Sequence, residues 1–132
     1  MVKEFDFKKF ITTSNEWEFE VEGQKFTCEE TDLGDEADLF NFYIDPDGKE
    51  NIAKLRMVQA TKIKKSPFNK EWIEYVFAKY YPEETLSKDV SWITLPVRAK
   101  LAFFAKLDSN FMSAIMNNIG NHYISKEVTV KN

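Results

Sequence analysis

The chain has 132 residues, one domain's worth of polypeptide, and can bury roughly two-thirds of the surface that its unfolded form exposes. Twelve Phe, five Tyr and three Trp argue against disorder, and a single cysteine, Cys28, excludes an internal disulfide framework and a multi-cysteine zinc site within one chain. The net charge of −4 hides an asymmetry: residues 1–50 carry fifteen Asp/Glu against five Lys, whereas residues 51–132 carry seven acids against thirteen bases. Such halves can pair within one monomer or stack copies head to tail, and charge counting does not separate the two.

Phe5, Phe7, Phe10 and Ile11 fit either a short helical turn or an arm packed on the core. From Glu16, the apolar Trp17, Phe19 and Val21 alternate with Glu16, Glu18, Glu20 and Glu22, the period-two pattern of a half-buried strand with one acidic face. Glu22-Gly23-Gln24 supplies a turn and Lys25–Glu29 resumes the alternation, so the spacing predicts an antiparallel hairpin with Cys28 facing inward beside Phe26. Asp32 and Asp35 precede Ala37, Leu39, Phe40 and Tyr43, a short helix with acids in its first turn. Asp45-Pro46-Asp47-Gly48 is a turn, and helix formers predict a helix from about Glu50 to Lys62, although a returning strand also fits.

Pro67 breaks the chain and Asn69 caps a helix whose face is Trp72, Ile73, Val76, Phe77 and Tyr80, ending at Pro82. Thr94 and Pro96 start another, lined by Val97, Leu101, Phe104 and Leu107. Asp108-Ser109 caps a third, with Phe111, Ile115, Met116 and Ile119 inward and Gly120 as its stop. The tail from Tyr123 to Val130 reads as an edge strand or a disordered end. The sum is one α+β domain: a β-rich part over about 1–65, a helical part over about 66–122 with three to four helices, and a tail over 123–132.

No residue pattern points to catalysis. His122, the only histidine, falls beyond the expected helix stop, where a general base would lack a positioned partner. Cys28 is followed by Glu29 and Glu30, which disfavour a thiolate and favour a small core residue. If Gly48 were the sixth position of a calcium loop, Tyr43 and Lys54 would stand where carboxylates are needed, so that motif fails. Four scattered glycines build no phosphate-binding loop, and no cofactor is expected. The acidic face Glu16, Glu18, Glu20 and Glu22 reads as a solvated strand face or a phosphate-mimicking surface. Lys62, Lys64, Lys65 and Lys70 read as solubilising, so direct nucleic-acid binding is not expected. No apolar run approaches the ~20 residues of a membrane span and no cationic-then-apolar leader opens the chain, which predicts a cytoplasmic protein.

The order of parts resembles the tail assembly chaperones of long-tailed bacteriophages. The features that carry the likeness are the hairpin Trp17 to Glu29, Leu33-Gly34-Asp35 before a short helix, the segment Ala60 to Phe68, and the closing run Trp92, Leu95, Arg98, Leu101, Leu107-Asp108, Phe111 and Ile115. The resemblance implies a non-enzymatic protein of the host cytoplasm that binds the largely helical tape-measure protein and recruits tail-tube subunits. It also implies that a longer product can arise by ribosomal frameshifting, with which the terminal Val130-Lys131-Asn132 is compatible. An aromatic groove around Trp72, Phe77, Trp92 and Phe104 would then hold a partner helix. A second reading is an acidic DNA mimic that inhibits a nucleic-acid enzyme, or a generic protein-interaction module, and a third is an enzyme with a pocket assembled from Asp, Glu and Tyr residues whose spacing gives no signal.

Overall fold

A computed structural model describes the backbone of residues 16–131, with side chains except those of Glu36 and 126–131. The expected N-terminal segment around Phe5 to Ile11 lies outside the described residues. Strands β1 (Glu16–Val21) and β2 (Gln24–Glu29) pair antiparallel with Val21 opposite Gln24, which leaves the two-residue loop Glu22-Gly23. Both loop residues have positive φ, 50° and 76°, the conformation in which a two-residue turn matches the twist of its strands.

Asp32 and Asp35 build the start of α1 (Leu33–Asp38) as a capping box: Asp35 N donates to Asp32 Oδ1 at 2.8 Å, and Asp32 N donates to Asp35 Oδ2 at 3.2 Å. A single helical turn, α2 (Phe40–Tyr43), leads to the Asp45–Gly48 turn, where Gly48 takes φ 84° and Ile44 bridges Glu50. The chain then enters α3 (Ile52–Ala60), capped by Asn51, rather than continuing as a strand. Between β2 and residue 62 the chain thus carries α1, α2 and α3 with the Asp45–Gly48 turn between them, so the part expected to be β-rich to about residue 65 is mixed, with helices where the sequence places them. The third strand is only β3 (Ile63–Lys65), antiparallel to β2 in a sheet of order β1-β2-β3.

Asn69 caps α4 (Lys70–Tyr80) by accepting from Trp72 N at 3.2 Å, as the sequence predicts. Helix α5 (Val97–Phe104) begins at Pro96 without a side-chain cap; the Thr94 hydroxyl is engaged by Ser91, closing the turn before it. Helix α6 (Ser109–Lys131) begins where the Asp108 carboxylate accepts from Phe111 N, and it does not stop at Gly120. The expected separate tail is its last turns. Tertiary contacts outweigh the glycine penalty of about 1 kcal/mol. Thr31 N donates to the Tyr123 hydroxyl at 2.9 Å, and His122 meets Glu30 at 3.0 Å.

Within α6, the space above Gly120 is bounded by the Arg56 side chain, with Nε 3.4 Å from where a Cβ would stand. Gly120→Ala should therefore stabilise the fold by up to about 1 kcal/mol, because Arg56 can give by a fraction of an ångström. Chemical denaturation reads the sign, and a loss of stability would mean that Arg56 cannot yield or that the helix breaks there.

The core lies between the inner face of the sheet and α3 to α6 and is built around Phe26, Phe68, Phe103 and Phe104, with Ile63, Ile73, Ile115 and Ile119 filling between the rings. Phe68 sits at its centre, its ring 5.0 Å from Phe103, 5.2 Å from Trp92 and 5.6 Å from Phe26. The α+β architecture expected from the sequence, a small antiparallel sheet against a C-terminal set of helices, is the one observed.

Candidate functional site

Of the four aromatics expected to line a groove, three are core. Phe77, Trp92 and Phe104 are 5 %, 5 % and 1 % exposed. Trp92 packs on Phe68, Phe103 and Phe104, and its Nε1 donates to Ile63 O at 2.8 Å, which fixes β3 against the helices. An aromatic stripe at helical spacing gains most by full burial, so these rings fill the space that a groove would need.

Trp72 is different. At 37 % exposure it stands on the first turn of α4, one side against Phe68 and Phe111 and the other facing out. It forms a wall of a cleft of about 640 Å³ between the hairpin loop and the α5–α6 corner. Pro67, Leu107 and Phe111 complete the apolar lining, and Glu22, Gln24, Asn69 and Asp108 form the polar rim. The carboxylates of Glu22 and Asp108 make no ion pair among the described residues. Leu107 and Phe111 were legible only as core positions. Their role in the cleft depends on the hairpin loop reaching the helix corner, which no local pattern encodes.

Further along α4, Tyr75 is 63 % exposed. The sequence signal for it was available: Tyr75 falls off the Ile73, Val76, Phe77 stripe, on the polar side of the helix.

The acidic residues Glu16, Glu18, Glu20 and Glu22 all face solvent, as the alternation predicts. Their surroundings are mixed in charge. The Lys64 ammonium bridges Glu16 at 3.1 Å and Glu29 at 2.8 Å, and Lys25 stands opposite Glu20 in the ladder. Lys62 binds Asp35 at 2.8 Å and Lys54 binds Asp45 at 2.9 Å. The Lys54, Lys62 and Lys64 pairs join acids of the first fifty residues to bases of the remainder within one chain. Burial disfavours the charged form of Asp35, yet the Lys62 ammonium and the Asp32 amide together hold its carboxyl below the usual range.

Cys28 is fully buried, and desolvation, reinforced by the charge of Glu29 and opposed by Lys62, pushes its thiol up to about 12 from the ordinary 9.0. Because the folded value is the higher one, its contribution to stability is complete below pH 9 and is lost as pH rises towards 12. Native protein should therefore alkylate with iodoacetamide only as fast as it opens, orders of magnitude slower than in denaturant. Equal rates in both would show an accessible thiolate.

His122, expected beyond the helix, lies within α6. Its ring stacks on Trp17 with centroids 3.9 Å apart and planes 4° from parallel, and its Nε2 meets Glu30 Oε1 at 3.0 Å. With the Tyr123 hydroxyl on Thr31, it fastens α6 to the hairpin.

Among the described residues, no group of three or more His, Cys, Asp or Glu is placed to hold a metal ion, and no helix is long and apolar enough to cross a membrane. No protein-family model matches the chain, and no curated protein or solved structure matches it.

Proposed function

We propose that the protein is a non-enzymatic assembly chaperone of the phage-tail kind, which holds helical segments of a tape-measure protein and aids assembly of the tail tube around it. The observation that carries this reading is the cleft at Trp72. A half-exposed indole beside Pro67, Leu107 and Phe111 offers an apolar trough of about 640 Å³, the form that takes anchor side chains of an amphipathic helix. Tryptophan at the edge of such a trough is the residue type that most often dominates binding energy. The likeness of the sequence to tail assembly chaperones supplies the identity of the client.

Co-expression with a tape-measure fragment tests it. The expected result is a soluble complex of larger hydrodynamic mass, lost when Trp72 is replaced by Gln in a protein whose circular dichroism is unchanged. A fragment that stays insoluble with and without the chaperone counts against the reading.

The alternative of an acidic DNA mimic draws on exposed Glu16, Glu18, Glu20 and Glu22. Lys64 and Lys25 on the same face interrupt the run of negative charge that such mimicry uses. A generic interaction module would use the same Trp72 cleft for a different client.

A further inference from the structure

The solvent side of α4 carries Glu71, Glu74, Tyr75, Ala78 and Lys79, all exposed. Glu71 stands four residues before Tyr75 and Lys79 four after it, so the three share one stripe with the aromatic ring in the middle. The Lys79 ammonium lies 5.7 Å from the centre of the Tyr75 ring and 5.4 Å from that of Tyr80, which holds the cation on this face. Neither Glu71 nor Lys79 makes an ion pair among the described residues. Along the stripe Glu71, Tyr75 and Lys79, an acid, a large exposed ring and a base stand in line, a pattern that reads the same when reversed and inverted in sign, with Glu74 to one side of it.

We infer that this face is a twofold interface between two copies of the chain, with α4 packed antiparallel on the α4 of its partner and the axis at Tyr75. In that arrangement Glu71 lies opposite the partner's Lys79, Lys79 lies opposite the partner's Glu71, and the two Tyr75 rings meet at the centre. A parallel pairing would set Glu71 against Glu71 and Lys79 against Lys79, so the charge order selects the antiparallel one. Self-complementarity of this kind is what an isologous dimer requires, since each contact must be made twice by the same patch. Ala78, next to the central tyrosine, is small enough to let the helices approach closely. The inference is independent of the client reading, which rests on the Trp72 cleft.

Analytical ultracentrifugation of the full chain across a wide concentration range tests it. The wild type is expected to pass from monomer to dimer, and Tyr75→Arg is expected to remain monomeric. Glu71→Lys and Lys79→Glu alone should each weaken the dimer by roughly tenfold or more, because symmetry turns two attractions into two repulsions. The double variant Glu71→Lys/Lys79→Glu should restore it, a rescue that a merely structural effect of either residue would not give. A wild type that stays monomeric at millimolar protein, a dimer indifferent to the single reversals, or a double variant no tighter than the singles would each overturn the inference.

Discussion

Phe68→Ala is expected to lower stability by about 3–5 kcal/mol, the range for removing a large buried ring from a core that cannot collapse around the void. The ring is 2 % exposed and packs near rings of the sheet and of three helices: Phe26 of β2, Trp72 of α4, Trp92 before α5, Phe103 and Phe104 of α5 and Phe111 of α6. A cavity there removes contacts between the sheet and three helices at once. Domains of this size have roughly 5–15 kcal/mol in total, so the variant should unfold at much lower urea, or populate the unfolded state without it. Phe68→Leu keeps much of the volume and should cost less than the alanine variant. Urea titrations followed by circular dichroism decide this; a shift of under about 1 kcal/mol for Phe68→Ala would mean that the ring is not at the centre of the packing.

Trp92→Ala is expected to cost a comparable amount, about 3–5 kcal/mol, by leaving a cavity. It also deprives the buried Ile63 carbonyl of its donor. Trp92→Phe separates the two effects: the ring contacts with Phe68, Phe103 and Phe104 are largely kept, while the loss of the Nε1 donor leaves the carbonyl of β3 unpaired at about 1–3 kcal/mol. Were Trp92 a partner-binding residue, as the sequence suggested, both variants would denature like the wild type and differ only in client binding. Denaturant midpoints with and without the client distinguish the two outcomes. The corresponding change at Trp72 should show the reverse pattern, a smaller stability loss and a larger binding loss.

Several parts of the fold were legible because their causes are local. The alternation of Trp17, Phe19 and Val21 with glutamates gave β1 its two faces. Asp32, Asn69 and Asp108 marked helix starts because a side-chain oxygen reaches an amide only three residues on. The same locality misled at Gly120. A glycine after a run of inward residues looks like a stop, but the contacts that carry α6 past it, His122 to Trp17 and Glu30 and Tyr123 to Thr31, come from residues 92 or more positions away. Phe68 was not recognised as the centre of the core because it sits between Pro67 and Asn69, outside any periodic segment, where no hydrophobic spacing can report burial.

The candidate site divides in the same way. Periodicity placed Trp72, Phe77, Trp92 and Phe104 on apolar faces but could not say which would be covered by their own chain, since that is settled by which elements pack together. The sequence by itself determined the hairpin, the helix starts, the buried setting of Cys28 and the solvent-facing glutamates of β1, all of which depend on neighbours within about four residues. Only the tertiary structure decided that Ile63–Lys65 becomes a third strand and that three of the four aromatics are core. It also decided that the hairpin loop meets the α5–α6 corner to leave Trp72 at the wall of a cleft. Those outcomes depend on which apolar surfaces, far apart in the chain, exclude water from one another.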